Sequence, residues 1–179
     1  MPSIVVPVPS LVILCGPASS GKSTFAAKHF PPTAIVSSDR CRAMVADDEA
    51  NMAVSRDAFE IFHQIIDARL QHRRIAVADS TAVQREARRA LIQIARRRDV
   101  PTVLIVFNVS EEVCIQWNGR RTRRVGSAVI HQHSLALQAA LGEIAEEGHA
   151  QILIMSAAEV GQMSVELARG SAAGVPKLS

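Results

Sequence analysis

Residues 15–24 read "CGPASSGKST", between an apolar run and a helical one. Gly16 to Ser23 match G-x-x-x-x-G-K-[ST], the pattern of a phosphate-cradling loop. In such a loop the segment Gly16, Pro17, Ala18, Ser19, Ser20 and Gly21 wraps so that its N–H groups point inward at an anion. Lys22, Ser23 and Thr24 then open a helix whose positive dipole end adds to the attraction. Lys22 reaches the β- and γ-phosphates and Ser23 offers its hydroxyl to Mg²⁺. The stretch therefore implies an NTP, most simply ATP, held with Mg²⁺.

Working outward, "SLVILC" (10–15) is a strand buried on both faces, and the preceding "MPSIVVPVP" belongs to the same core strand rather than to a secretory leader, because no basic segment precedes the apolar run. Further strands are predicted over 34–39, 74–79, 102–109 and 150–155. Helices are predicted from Lys22 to about His29, over "RCRAMVA" (40–46), and over Arg56–Gln71, where Phe59, Phe62, Ile66 and Leu70 share a face. Others cover 82–99, "EEVCIQWN" (111–118), 127–148 and 157–168. Along 82–99, Val83, Ala87, Leu91, Ile94 and Ala95 form the apolar face and the arginines from Arg85 to Arg98 the outer one. Strands alternating with helices predict a parallel sheet of about five strands covered on both faces: an α/β, three-layer, P-loop NTPase/kinase-like fold. Residues 1–168 form the predicted domain, and 169–179, small and Gly/Pro-containing, a flexible tail or linker.

In open parallel sheets ligands bind at the carboxyl ends of the strands. Asp39 and Asp79 end the second and third predicted strands there. Asp39, in "VSSDRCR", reads either as a carboxylate that takes the proton of an attacking hydroxyl or as a helix-capping acid. Arg42 lies one turn later and reads as a ligand for an acceptor phosphate or as a surface arginine. Asp79, closing "RIAVAD", reads as a Mg²⁺-holding acid or as a cap for the next helix. "GRRTRRVG" (119–126) places Arg120, Arg121, Arg123 and Arg124 between two glycines, an arginine-rich lid that closes over a triphosphate, or else a basic loop.

Composition narrows the rest. The chain has 179 residues, 48% hydrophobic and 21% charged, with net charge +3 carried almost wholly by arginine, which suits a phosphate-rich partner. No apolar run approaches the ~20 residues of a membrane span, and with no targeting signal the cytoplasm is the expected compartment. Three scattered cysteines predict free, reduced, mostly buried thiols. His131 and His133 are too sparse a pair to predict a metal site.

The motifs together resemble the 5′-hydroxyl polynucleotide kinase domain of bacterial end-healing polynucleotide kinase-phosphatase proteins. The resemblance spans residues 10–168 and rests on "GPASSGKSTFAAKHF", "VSSDRCR", "DDEA", "RDAFEIFH", "VADST", "LIVFNV" and the lid. It implies that Lys22 and Ser23 hold ATP and Mg²⁺, that Asp39 is the general base for a 5′-OH, and that Arg42 contacts the acceptor strand, with Arg56 beside it. It implies that lid arginines Arg120, Arg121 and Arg124 clamp the triphosphate. The partners implied are a 5′-OH RNA or DNA end and neighbouring phosphatase and ligase domains. Two positions depart from the family: Ala82 stands where its third strand is followed by asparagine, and Trp117 where its first lid arginine stands. A kinase for a small hydroxyl compound, and a nucleotide-binding module of impaired chemistry, are the alternatives.

Overall fold

The structure is a computed structural model that describes residues 2–169. Five parallel strands form the central sheet: β2 (Leu11–Cys15), β3 (Ile35–Ser37), β4 (Ala76–Asp79), β5 (Thr102–Phe107) and β6 (Gln151–Met155). Their spatial order is β3-β4-β2-β5-β6. β2, β4 and β5 are buried throughout, as runs of Val, Ile and Leu lying between two helical layers must be. One layer's core gathers Phe62, Ile66, Leu70, Leu91, Ala95 and Leu137, and the other Phe25, Phe30, Phe107 and Ile130. The helices are α1 (Lys22–His29), α2 (Ser38–Ala46), α3 (Ser55–Gln71), α4 (Arg85–Arg97), α5 (Glu111–Asn118), α6 (Ser127–Leu141) and α7 (Ala157–Gln162). The expected α/β three-layer architecture is thus present. Among the described residues no helix is long and apolar enough to cross a membrane.

The structure corrects several readings. The N-terminal stretch is two strands, not one: β1 (Ser3–Val8) leaves the central sheet altogether and pairs in parallel with β7 (Ser164–Arg169). The helix expected over 157–168 therefore stops at Gln162, and its second half is β7. Local propensity there yields to pairing with a segment some 160 residues away, Ser3 with Ser164 through Val8 with Arg169. The helix expected over 127–148 ends at Leu141, just before Gly142, and a short 3₁₀ turn follows at Ile144–Glu146. The linker proposed for 169–179 lies outside the described residues, apart from Arg169, which is in β7.

Another correction concerns the arginine face of α4. Arg88 is fully buried. Positions 88, 91, 92 and 95 follow the i, i+3, i+4, i+7 rhythm of one helix face, so Arg88 sits in the apolar stripe with Leu91, Ile92 and Ala95. Its fork grips Glu147 (Nη2–Oε1 2.6 Å, Nε–Oε2 2.9 Å), and Nη1 donates to the carbonyls of Ala82 and Val83 (3.0 and 2.9 Å). His149 joins Glu147 at 3.2 Å. Arg98 is also paired, with Asp67 (Nε–Oδ1 2.9 Å). The Arg88 fork thus ties the turn after β4 to the segment that leads into β6.

Removing one member of a buried pair strands the other. Arg88→Met should cost about 3–5 kcal/mol in urea unfolding, whereas Arg97→Met, on the exposed side of the same helix, should cost less than about 0.5 kcal/mol. Equal costs would show that the pair carries no structural weight.

Candidate functional site

The glycine loop runs from the end of β2 to the first turn of α1, at the carboxyl edge of the sheet. Gly16 is required by contact: a Cβ there would lie 2.8 Å from the Phe107 Cβ and 3.0 Å from the Phe107 carbonyl oxygen. Gly21 is required by conformation, capping α1 at φ 94°. Ser19 also has positive φ, 63°. The Gly16 N–H donates to the Thr81 carbonyl (2.9 Å), which ties the loop to the turn after β4.

Lys22 is buried and donates through Nζ to the carbonyls of Gly16 (2.9 Å) and Pro17 (2.5 Å). Burial pushes its pKa down to about 8, against the opposing pull of Asp79. Asp79, the last residue of β4, is itself buried, and desolvation raises its pKa against the opposing pull of the Ser23 hydroxyl and of Lys22. Ser23 and Asp79 thus form an oxygen-only pair beside the loop, the donor chemistry that suits Mg²⁺. Among the described residues there is no cluster of three His, Cys, Asp or Glu, so any such ion would complete its shell with water and phosphate oxygens.

Asp39 does not end a strand as expected. β3 stops at Ser37, whose hydroxyl caps α2 by accepting from Arg40 N, and Asp39 lies in the first turn of α2. Arg42 is buried and ion-paired to Asp39 Oδ1, with its Nε donating to the Glu49 carbonyl (2.8 Å). A second guanidinium arrives from the lid: Arg123 Nη1 lies 3.1 Å from Asp39 Oδ2 and 3.1 Å from a Glu49 carboxylate oxygen. Arg56 is not brought to this cluster. It stays exposed on α3 and pairs with Glu60 at 3.4 Å.

The lid is residues 119–126. Asn118, buried at its base, closes it: Oδ1 accepts from Val125 N (2.9 Å) and from the Ser19 hydroxyl (3.1 Å), and Nδ2 donates to the Val125 carbonyl (2.7 Å). Arg121 donates to the Ser19 hydroxyl (3.2 Å), while Arg120 and Arg124 are exposed. Trp117 packs against the loop-side core, its ring 3.4 Å from where a Gly21 Cβ would stand. His131 and His133 do not converge on a common ligand: His131 pairs with Glu111 (2.9 Å), and His133 Nδ1 accepts from the Ala18 N–H (3.3 Å). Burial and Lys22 lower the His133 pKa, which keeps that acceptor nitrogen unprotonated.

The sequence places Arg123 only among the lid arginines and assigns no role to Asn118, Glu49 or His133. Arg123 and Glu49 stood inside quoted motifs, but nothing in the spacing says that they meet. His133 has no sequence signal beyond its residue type.

The model of a family described as an AAA domain, AAA_33, matches residues 11–144, three quarters of the chain. The chain belongs to this family. Its match runs from β2 through the loop, the Asp39 cluster, the lid and α6, so it covers the whole site and stops short of β6 and the β1–β7 pair. No curated protein matches the AAA-domain chain by sequence. Among solved structures, a chain of the Pnkp1/Rnl/Hen1 RNA repair complex is similar with TM-score 0.66 and 20% identity, over 77% of this chain and 47% of that one. A gluconokinase from Sinorhizobium meliloti 1021 is similar with TM-score 0.54 and 19% identity, over 88% and 90%. A chain of the AvrRxo1-ORF1:-ORF2 complex with ATP is similar with TM-score 0.62 and 15% identity, over 83% and 55%. This chain therefore spans about half the length of the repair-complex chain. At these identities the likeness establishes the P-loop kinase fold.

The Lys22 shift has a consequence for stability. An unfolded lysine holds its proton to about 10.5, whereas folded Lys22 releases it near 8. Between those values the unfolded state binds more protons, so stability rises with pH. Above about pH 9 Cys15 and Cys114, pushed up to about 11 by burial, act the other way. The urea midpoint should rise from about pH 7.5 to 9, and Lys22→Met should abolish the rise. A flat wild-type profile would contradict a charged, buried Lys22.

Proposed function

We propose that this protein is an ATP- and Mg²⁺-dependent kinase that phosphorylates the 5′-OH end of RNA or DNA. The observation that carries the reading is the Asp39 cluster. A carboxylate stands at the same sheet edge as Lys22 and is oriented by Arg42 from its own helix and by Arg123 from the lid. Lys22 and the loop amides bind the triphosphate. Arg120, Arg121 and Arg124 close over it and neutralise charge that develops on the transferred group. Asp39 accepts the proton of the 5′-OH as its oxygen bonds to the γ-phosphorus and the bond to the β,γ-bridging oxygen breaks. The electron pair of that bond leaves with ADP. Ser23 and Asp79 would hold Mg²⁺, which supplies charge neutralisation at the β- and γ-phosphates. An acceptor phosphate arriving beside Asp39 meets two guanidinium groups, those of Arg42 and Arg123.

The polynucleotide acceptor is supported by the resemblance in "VSSDRCR" and by the similarity to a chain of an RNA repair complex. A place beside phosphatase and ligase domains, in the cytoplasm, follows from the resemblance. The gluconokinase likeness, over nine tenths of that chain, favours the second reading, a small-hydroxyl acceptor.

The deciding experiment is transfer of labelled γ-phosphate from ATP to 5′-OH RNA, 5′-OH DNA, gluconate and nucleosides. Labelled oligonucleotide is the expected product. Its yield should fall steeply with salt because phosphate contacts release counterions, and Asp39→Asn should lower kcat about 10²- to 10⁴-fold. Label on a small acceptor alone would select the second reading, and unchanged turnover in Asp39→Asn would remove Asp39 from the chemistry.

A further inference from the structure

Beside the site lies a cavity that none of the roles above uses. It has a volume of about 330 Å³ and lies between α3 and α4, at the carboxyl end of β4. Its floor is the buried Phe62, and its walls carry the half-buried rings of Phe59 and His63. The three rings form one cluster. Phe59 and Phe62 meet edge to face with centroids 5.5 Å apart, and His63 lies 5.5 Å from Phe62 and 6.1 Å from Phe59. Ala87 and Ala90 keep the α4 side open. The lining is almost wholly apolar, and burial lowers the pKa of the His63 imidazole on its wall.

Its position ties it to the reaction. Ser80 directly follows Asp79, so the cavity begins one residue beyond the carboxylate that meets Ser23. Asp79 is in register with Ser37, the cap of α2, and α2 carries Asp39 and packs along α3. The cavity thus adjoins the acceptor side of the sheet edge.

Ligand cavities commonly measure ~300–1,000 Å³, so this one holds a flat fragment rather than a whole nucleotide. Flat rings and an apolar lining match the face of an unstacked nucleobase, which proteins take from single-stranded ends by stacking. We propose that this cavity receives the terminal nucleobase of the acceptor strand, stacked against Phe59 and His63. The proposal rests on the polynucleotide reading and adds to it a base subsite and its residues.

The test compares two 5′-OH oligonucleotides, identical except that one has an abasic 5′-terminal residue. Both present the same hydroxyl and phosphates. Wild-type protein should use the abasic acceptor with kcat/KM lower by roughly 5- to 150-fold, the worth of one stacked base. Phe59→Ala and His63→Ala should bring that ratio toward one by raising KM for the intact acceptor, with KM for ATP unchanged. Ala90→Leu, which fills the cavity without opening the core, should do the same and guards against a folding defect in the first two. Equal use of both acceptors by wild type, or an unchanged ratio in the variants, would overturn the base subsite while leaving the kinase reading intact. Phosphorylation of neither oligonucleotide, with label appearing on a small acceptor, would overturn the polynucleotide reading and the subsite with it.

Discussion

The molecule is organised around one buried ammonium group. Lys22 is drawn into the interior at the start of α1, where the carbonyls of Gly16 and Pro17, the Ser20 hydroxyl and the nearby Asp79 offset its loss of water. A buried charge is tolerated only where such partners are fixed in place. The loop is fixed by Gly16 pressed on the end of β5 and by the Gly16 N–H bonded beyond β4. Both strands flank β2, so the geometry around Lys22 depends on three adjacent strands ending at one edge. A parallel sheet supplies that edge because every crossover returns the chain in the same direction.

The lid links the two halves of the site. Arg121 touches the glycine loop through Ser19, and Arg123, two residues on, reaches Asp39 and Glu49. Asn118 holds the ends of the same loop together. A single short segment therefore contacts the glycine loop and the Asp39 cluster at once. Trp117, standing where the resembled family has an arginine, lies outside this bridge and packs into the core behind Gly21. Charge at the lid is left to the arginines that follow it.

Much of this was legible from the sequence. The glycine loop carries its own geometry in glycine spacing, and the apolar runs of the central strands allow no other burial. Asp79 could be placed because β4 is short and ends where its apolar run ends. Asp39 was harder, since "SSD" serves equally as strand end and helix start, and the Ser37 cap decides it. Arg88 was misplaced by residue type although its spacing from Leu91, Ile92 and Ala95 marked it as inward-facing; only its partner Glu147, far along the chain, makes that burial tolerable. The meeting of Arg123 with Asp39 and Glu49 is a tertiary event without local periodicity. The β1–β7 pairing is the extreme case, since neither strand contains any trace of the other.

That pairing also gives the first residues of the chain a mechanical task. α7 hangs between β6 and β7, and its Val160 stands 3.3 Å from where a Gly21 Cβ would be, forming part of the wall behind the glycine loop. Among the described residues β7's one strand partner is β1, and its Val165 and Leu167 rest on the core. Ser3–Val8 carries no chemistry, yet it acts as the buttress of that wall. The load path from the chain's beginning to its phosphate-binding loop runs through six backbone pairs and one short helix.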